Sequence, residues 1–174
     1  MVACQREPAH THHAPGGDSS WEEEIRHHLS DGYLVLGVGS RLRGDDAAGS
    51  IIAEKLNERG VSRAFDCGGV PENFVVQMER YLPCDILFVD AVDFGAEPGT
   101  VGFFGGEKSL PQSVSTHSAG LSPLMDFLSA GGATTCWVLA IQPADVGYGA
   151  DLSEPVSRAV EEIVASPVWG AASP

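Results

Sequence analysis

Val35-Leu36-Gly37-Val38-Gly39-Ser40-Arg41-Leu42-Arg43-Gly44-Asp45-Asp46 passes from a short apolar run through three glycines into a segment whose apolar residues recur at helical spacing. It reads as strand, tight loop and helix, the opening of an α/β unit. A loop of that shape ordinarily cradles an anion, because backbone N–H groups and the positive end of the helix dipole converge on it. Here two carboxylates stand at the helix mouth where a phosphate-binding loop needs lysine and a hydroxyl residue, and position 42 is leucine where the dinucleotide fingerprint needs glycine. The pair repels phosphate and attracts a metal ion or a cationic group.

Outward from this loop the pattern alternates. Strands are expected near 33–38, 62–66, 85–90, 100–104 and 135–141, with helices near 46–59, 72–82, 118–130 and 153–165. Ala48, Ile51, Ile52 and Leu56 form one stripe, and Val156, Val160, Ile163 and Val164 another, so both helices face a sheet. Ser153-Glu154-Pro155 starts the last helix well, and Gly131-Gly132 stops the third. Ile86-Leu87-Phe88-Val89 is apolar throughout, which implies cover on both faces of a mainly parallel sheet. The expected fold is α/β, a three-layer α/β/α sandwich with about five strands. Segments 85–90 and 100–104 lie close enough to form a local antiparallel pair, which would make the sheet mixed.

The 174 residues, 43% of them apolar, suffice for one sizeable core. One domain is expected over 32–166, after a disordered tail over 1–20 and a short helical lead-in over 21–31, with a loose C-terminus over 167–174. The tail holds Pro8, Pro15, Gly16-Gly17 and the run His10-Thr11-His12-His13, with little to bury. His27 and His28 in the lead-in are expected to face solvent. A formal charge of −14 argues against nucleic acid and anionic lipid, since only 10 Lys and Arg are present. There is no apolar run of the roughly 20 residues that span a bilayer and no signal-peptide pattern, so a cytoplasmic protein is expected. Cys4, Cys67, Cys84 and Cys136 form no C-x-x-C pair, and the last three lie in or beside strands, where free cysteine behaves as a small buried hydrophobe.

Sites in such sheets gather beyond the C-terminal ends of the strands. Asp45 and Asp46 follow the first strand, Asp90 ends the third, and His117 closes the connection before the third helix. Two carboxylates and an imidazole suit nickel, zinc or manganese and leave positions open for substrate or water. Simpler roles compete: Asp45 as an N-cap that frees Asp46 to point outward, Asp90 as a strand-end turn residue, His117 as a loop residue. Spacing alone leaves these open.

From about Leu34 to Ala165 the chain resembles the [NiFe] hydrogenase maturation endopeptidases. The resemblance rests on Gly37-Val38-Gly39-Ser40 with Gly44-Asp45-Asp46, Gly68-Gly69 with Pro71-Glu72-Asn73, Val89-Asp90-Ala91-Val92-Asp93-Phe94-Gly95 with Pro98-Gly99, Thr116-His117 with Leu121, and Ile141-Gln142-Pro143. It implies that Asp46, Asp90 and His117 contact a nickel ion carried by the substrate, a hydrogenase large-subunit precursor whose C-terminal extension is hydrolysed once nickel is in place. Gly68, Gly69, Glu72 and Asn73 would line the peptide groove. Ser40 stands where the family usually has asparagine, and its hydroxyl can still bond the loop backbone. Ser115, Ser118 and Cys67 lack a recognisable base partner, which argues against an acyl-enzyme. Two other readings use the same residues: a metal-dependent hydrolase of small molecules, and a non-enzymatic nickel-binding assembly factor.

Overall fold

The computed structural model describes residues 20–82, 84–105 and 118–170. Its elements follow in the order α1 (Trp21–His28), β1 (Leu34–Gly37), α2 (Ala48–Glu58), β2 (Ala64–Asp66), α3 (Val75–Met78), β3 (Ile86–Ala91), β4 (Val101–Gly105), α4 (Ser118–Ser129), β5 (Cys136–Ile141) and α5 (Glu154–Ala165). Short 3-10 turns at Gly44–Ala47, Pro71–Phe74 and Pro167–Trp169 complete them. The strands form one sheet in the order β2-β1-β3-β5-β4. All neighbours are parallel except β4, which runs antiparallel to β5 with Phe103 opposite Leu139.

That order corrects one expectation. β4 is antiparallel, but its partner is β5; both edges of β3 are already taken by β1 and β5. The mixed, mainly parallel five-stranded sheet stands as read.

Side chains alternate across the sheet, so each strand feeds two cores. Leu34, Leu36, Ile86, Phe88, Val138 and Ala140 pack with Met78 of α3 and Leu121, Leu124, Met125 and Leu128 of α4. Val35, Leu87, Val89, Trp137, Leu139 and Ile141 pack with Ile25 of α1, Ile52 and Leu56 of α2, and Val156, Val160 and Ile163 of α5. Burying each large aliphatic side chain contributes about 1.5–3 kcal/mol before the entropy of ordering is subtracted. Helix layers therefore cover both faces, as the unbroken apolar run in β3 requires.

The helix expected over 72–82 is instead a 3-10 turn leading into the single turn Val75–Met78. Pro83 disfavours helical backbone at Leu82 and bounds the segment, but the helix already ends at Met78, so the apolar periodicity outruns it. α1 is held by a capping box: the Glu23 N–H donates to Ser20 Oγ, and the Ser20 N–H donates to Glu23 Oε2. His28 does not face solvent. Its ring lies 4.6 Å from that of Trp137 and 6.0 Å from that of Phe103, because the apolar face of α1 closes over the β4–β5 end of the sheet. The stretch expected to be loose after 166 is ordered through 170. Trp169 stacks on Trp21 at 6.3 Å, its indole N–H donates to the Ile163 carbonyl, and Ser166 Oγ donates to Glu22 Oε1 at 2.9 Å. The tail over 1–19 and residues 171–174 lie outside the described residues. Among those described, no helix is long and apolar enough to cross a membrane.

Gly49 brings α2 onto the sheet. A Cβ there would collide with the carbonyl oxygens of Val89 and Val38, and one on Gly37 would collide with the Gly49 carbonyl. Gly49→Ala is therefore expected to destabilise the protein by about 1–3 kcal/mol in urea unfolding, since the obstructing atoms are central-strand backbone. The gain in helix propensity, about 1 kcal/mol, opposes this. A more stable Gly49→Ala protein would contradict the close approach.

Candidate active site

β1 has β2 on one side and β3 on the other, and the connections from these strands depart to opposite faces. This is the switch point of the sheet, beyond whose strand ends sites of such folds gather. The loop after β1 and the end of β3 meet there.

The loop is folded back on itself and uses its own donors. The N–H groups of Val38 and Gly39 donate to Val89 O and Gly68 O, and that of Ser40 donates to Asp46 Oδ2 at 3.0 Å. Leu42 N–H donates to Ser40 Oγ at 3.4 Å, the bond expected of this serine. The N–H groups of Arg43, Gly44, Asp45 and Asp46 all donate to backbone carbonyls. A phosphate would find these groups engaged, in accord with the reading against an anion cradle. Gly39 takes φ +139°, and the Asp46 carbonyl occupies the place its Cβ would need. Ser50 Oγ, fully buried, donates to the Gly39 carbonyl at 2.9 Å.

Asp45 does not cap its helix. It is 0% exposed, and its carboxylate reaches across to the β5–α5 connection. Oδ2 accepts from Ala144 N (2.8 Å), Asp145 N (2.9 Å) and Ser153 Oγ (2.9 Å), while Oδ1 accepts from Ser153 N (2.7 Å). A helix mouth offers one or two donors, whereas this connection offers four, and a buried carboxylate goes where its lone pairs are met. Asp46, 2% exposed, accepts the Ser40 N–H through Oδ2, and the Gly44–Ala47 turn packs against β3. Asp90, 0% exposed, continues the Ile86, Phe88 alternation and so lies on the face covered by α3 and α4.

The loop after β2 forms the flank. Gly68 accepts from Gly39 N through its carbonyl, and its own N–H donates to Asp66 Oδ1 at 2.9 Å. Gly69 follows it, and Glu72 and Asn73 stand exposed on the next turn. Arg41 ties this flank to α2 by donating to Asp66 Oδ2 at 2.9 Å and pairing with Glu54 at 3.0 Å. Burial pushes the Asp66 carboxyl up, but the Gly68 N–H, the Ser50 hydroxyl and the Arg41 guanidinium together hold it below the usual carboxylate range. Gln142, buried at the end of β5, grips the other side: Oε1 accepts from Phe94 N and Ala96 N, and Nε2 donates to Asp93 Oδ1 at 3.0 Å. Asp93 is thereby a loop anchor. Gly49, Ser50 and Gln142 escaped the reading of roles because each acts through a contact that spacing does not reveal.

His117, the third expected ligand, lies outside the described residues, as do Ser115 and the side chain of Ser118. Among the described residues no three His, Cys, Asp or Glu side chains form a metal-holding group. Asp46 and Asp90 are both buried. Burial pushes the Cys67 thiol up to about 12 and the Cys136 thiol to about 11, so neither presents a thiolate at neutral pH. Cys84 is half-buried, and Cys4 falls outside the described residues.

The sequence model of the HycI hydrogenase maturation proteases matches residues 50–167, more than half of the chain. The chain belongs to the hydrogenase maturation protease family. The hydrogenase 3 maturation protease of Escherichia coli K12 is 32% identical over 133 residues, covering 75% of this chain and 85% of that protein. The crystal structure of the [NiFe] hydrogenase maturation protease HycI from Thermococcus kodakarensis superposes with a TM-score of 0.72 at 28% identity, over 83% of this chain and 94% of that one. The solution structure of the endopeptidase HycI from E. coli gives 0.68 at 31%, over 76% and 86%. As a hydrogenase maturation protease, the chain is a peptide hydrolase with the α/β fold of the HycI-type enzymes. The matched segment contains Asp90 and His117 and begins just after Asp46.

Proposed function

We propose that this protease removes the C-terminal extension of a [NiFe] hydrogenase large-subunit precursor after nickel insertion, reading the client's nickel through Asp46, Asp90 and His117. The observation that carries this is the placement of two buried carboxylates, Asp46 and Asp90, at the switch point between β1 and β3. Carboxylates beside the switch point can give oxygen ligands to a cation that the client presents. Docking fixes the scissile peptide beside the acidic wall, and holding the reactants together can account for several kcal/mol of the barrier. Nickel so held adds Lewis-acid polarisation of the peptide carbonyl or of water. Gly68, Gly69, Glu72 and Asn73 are the groove we assign to the extended segment, and the cytoplasm is the expected place of action.

The test is processing of matched nickel-loaded and nickel-free precursors, followed by intact-mass spectrometry. Only the loaded precursor is expected to lose its extension, at one bond. Equal cleavage of both would overturn the nickel checkpoint. Equilibrium dialysis of the free protease against nickel is expected to show weak binding; tight binding without cleavage would favour the assembly-factor reading.

A further inference from the structure

The peptide that joins Gly39 to Ser40 is held at both ends. Its carbonyl accepts the Ser50 hydroxyl at 2.9 Å, and its N–H donates to Asp46 Oδ2 at 3.0 Å. A peptide unit is planar, so what fixes the direction of the carbonyl also fixes that of the N–H on its far side. Ser50 is completely buried on the first turn of α2, where helix backbone sets its position. Its hydroxyl has one proton to give. Asp66, also within its reach, already accepts Gly68 N and Arg41 Nη2 at 2.9 Å each, so the proton goes to the Gly39 carbonyl. The neighbouring backbone has little slack: the Asp46 carbonyl oxygen fills the space beside the Gly39 Cα, and the Gly39 N–H is spent on Gly68 O. What remains is rotation of the Gly39–Ser40 peptide itself, which a glycine on one side permits.

Satisfying a buried carbonyl would be reason enough for a buried serine. Here the same peptide carries, at its other end, the donor that holds a candidate site carboxylate. We propose that Ser50 is a positioning residue: acting through the Gly39–Ser40 peptide, it fixes the orientation in which Asp46 meets the client's metal. Ser50 itself touches no substrate, and the inference rests on the role proposed above for Asp46.

Ser50→Ala removes the hydroxyl and adds no atom, so the fold persists. Two quantities are measured on it: exchange of the Ser40 amide proton by NMR, taken relative to the Val38 amide of the same loop, and kcat/KM on nickel-loaded precursor. The Ser40 amide is expected to exchange about tenfold faster than in the parent, and kcat/KM to fall about tenfold. Ser30→Ala is the control, because it removes a hydroxyl that donates to Asp85 Oδ2 at 2.6 Å just before β3 begins, and it is expected to leave both quantities as they are. An unchanged Ser40 amide in Ser50→Ala would overturn the relay whatever the activity. Equal changes in Ser30→Ala would overturn it too, by reducing Ser50 to a contributor to stability. Full processing by Ser50→Ala beside an inactive Asp46→Ala protein would overturn the relay and leave the nickel reading in place, whereas full processing by both would remove that reading as well.

Discussion

Precursor incubated with the Asp90→Ala protein is expected to keep its extension, with processing reduced at least ~100-fold, a loss that even outer partners of a metal can cause. The fold should survive. Asp90 is the penultimate residue of β3, and removing a carboxylate from a chain of net charge −14 lowers charge repulsion while opening only a small void. Asp46→Ala should be equally inactive but somewhat less stable, by about 1 kcal/mol, because the Ser40 N–H loses its acceptor. His117→Ala should join them. Rapid processing by the Asp90→Ala protein, with an unchanged melting temperature, would remove the carboxylate pair from the mechanism.

Asp45 should behave differently, because its effect is on the fold. In Asp45→Asn the amide can place its oxygen at the Oδ2 position, but its NH2 group then faces the Ser153 N–H, donor against donor. Three charge-assisted bonds also become neutral ones. The expected cost is about 3 kcal/mol or more in urea unfolding. An N-cap would tolerate serine; this position should not, since a serine hydroxyl cannot span to residues 144–153. Stability of Asp45→Ser within ~0.5 kcal/mol of the parent would restore the capping role.

This pair shows where sequence reading ends. Adjacent aspartates at a helix mouth are conspicuous, and either role of Asp45 leaves Asp46 as the candidate site residue. The role itself is decided by backbone donors about 100 residues away, which no local pattern encodes. The same holds for β4. Its strand character is local, whereas its partner depends on which sheet edges remain free. Parallel strands were legible because burial on both faces leaves unbroken apolar runs, as in Ile86-Leu87-Phe88-Val89. α3 was overdrawn because hydrophobic spacing continues past Met78, where the helix ends. His28 was misplaced because a histidine beside glutamates on a short amphipathic helix looks solvated until the ring it rests on is known.

The Trp21–Trp169 stack sets the handling of the molecule. α5 starts at the switch-point end of the sheet and descends, so Trp169 and the start of α1 meet at the opposite pole. Both flanks of the folded unit thus leave from one spot, on the far side from where a client would land. A tether attached before residue 20 or after 170 would hold the protease with its switch point turned outward, and a short bridge between those flanks would close the chain into a ring without crossing the working face.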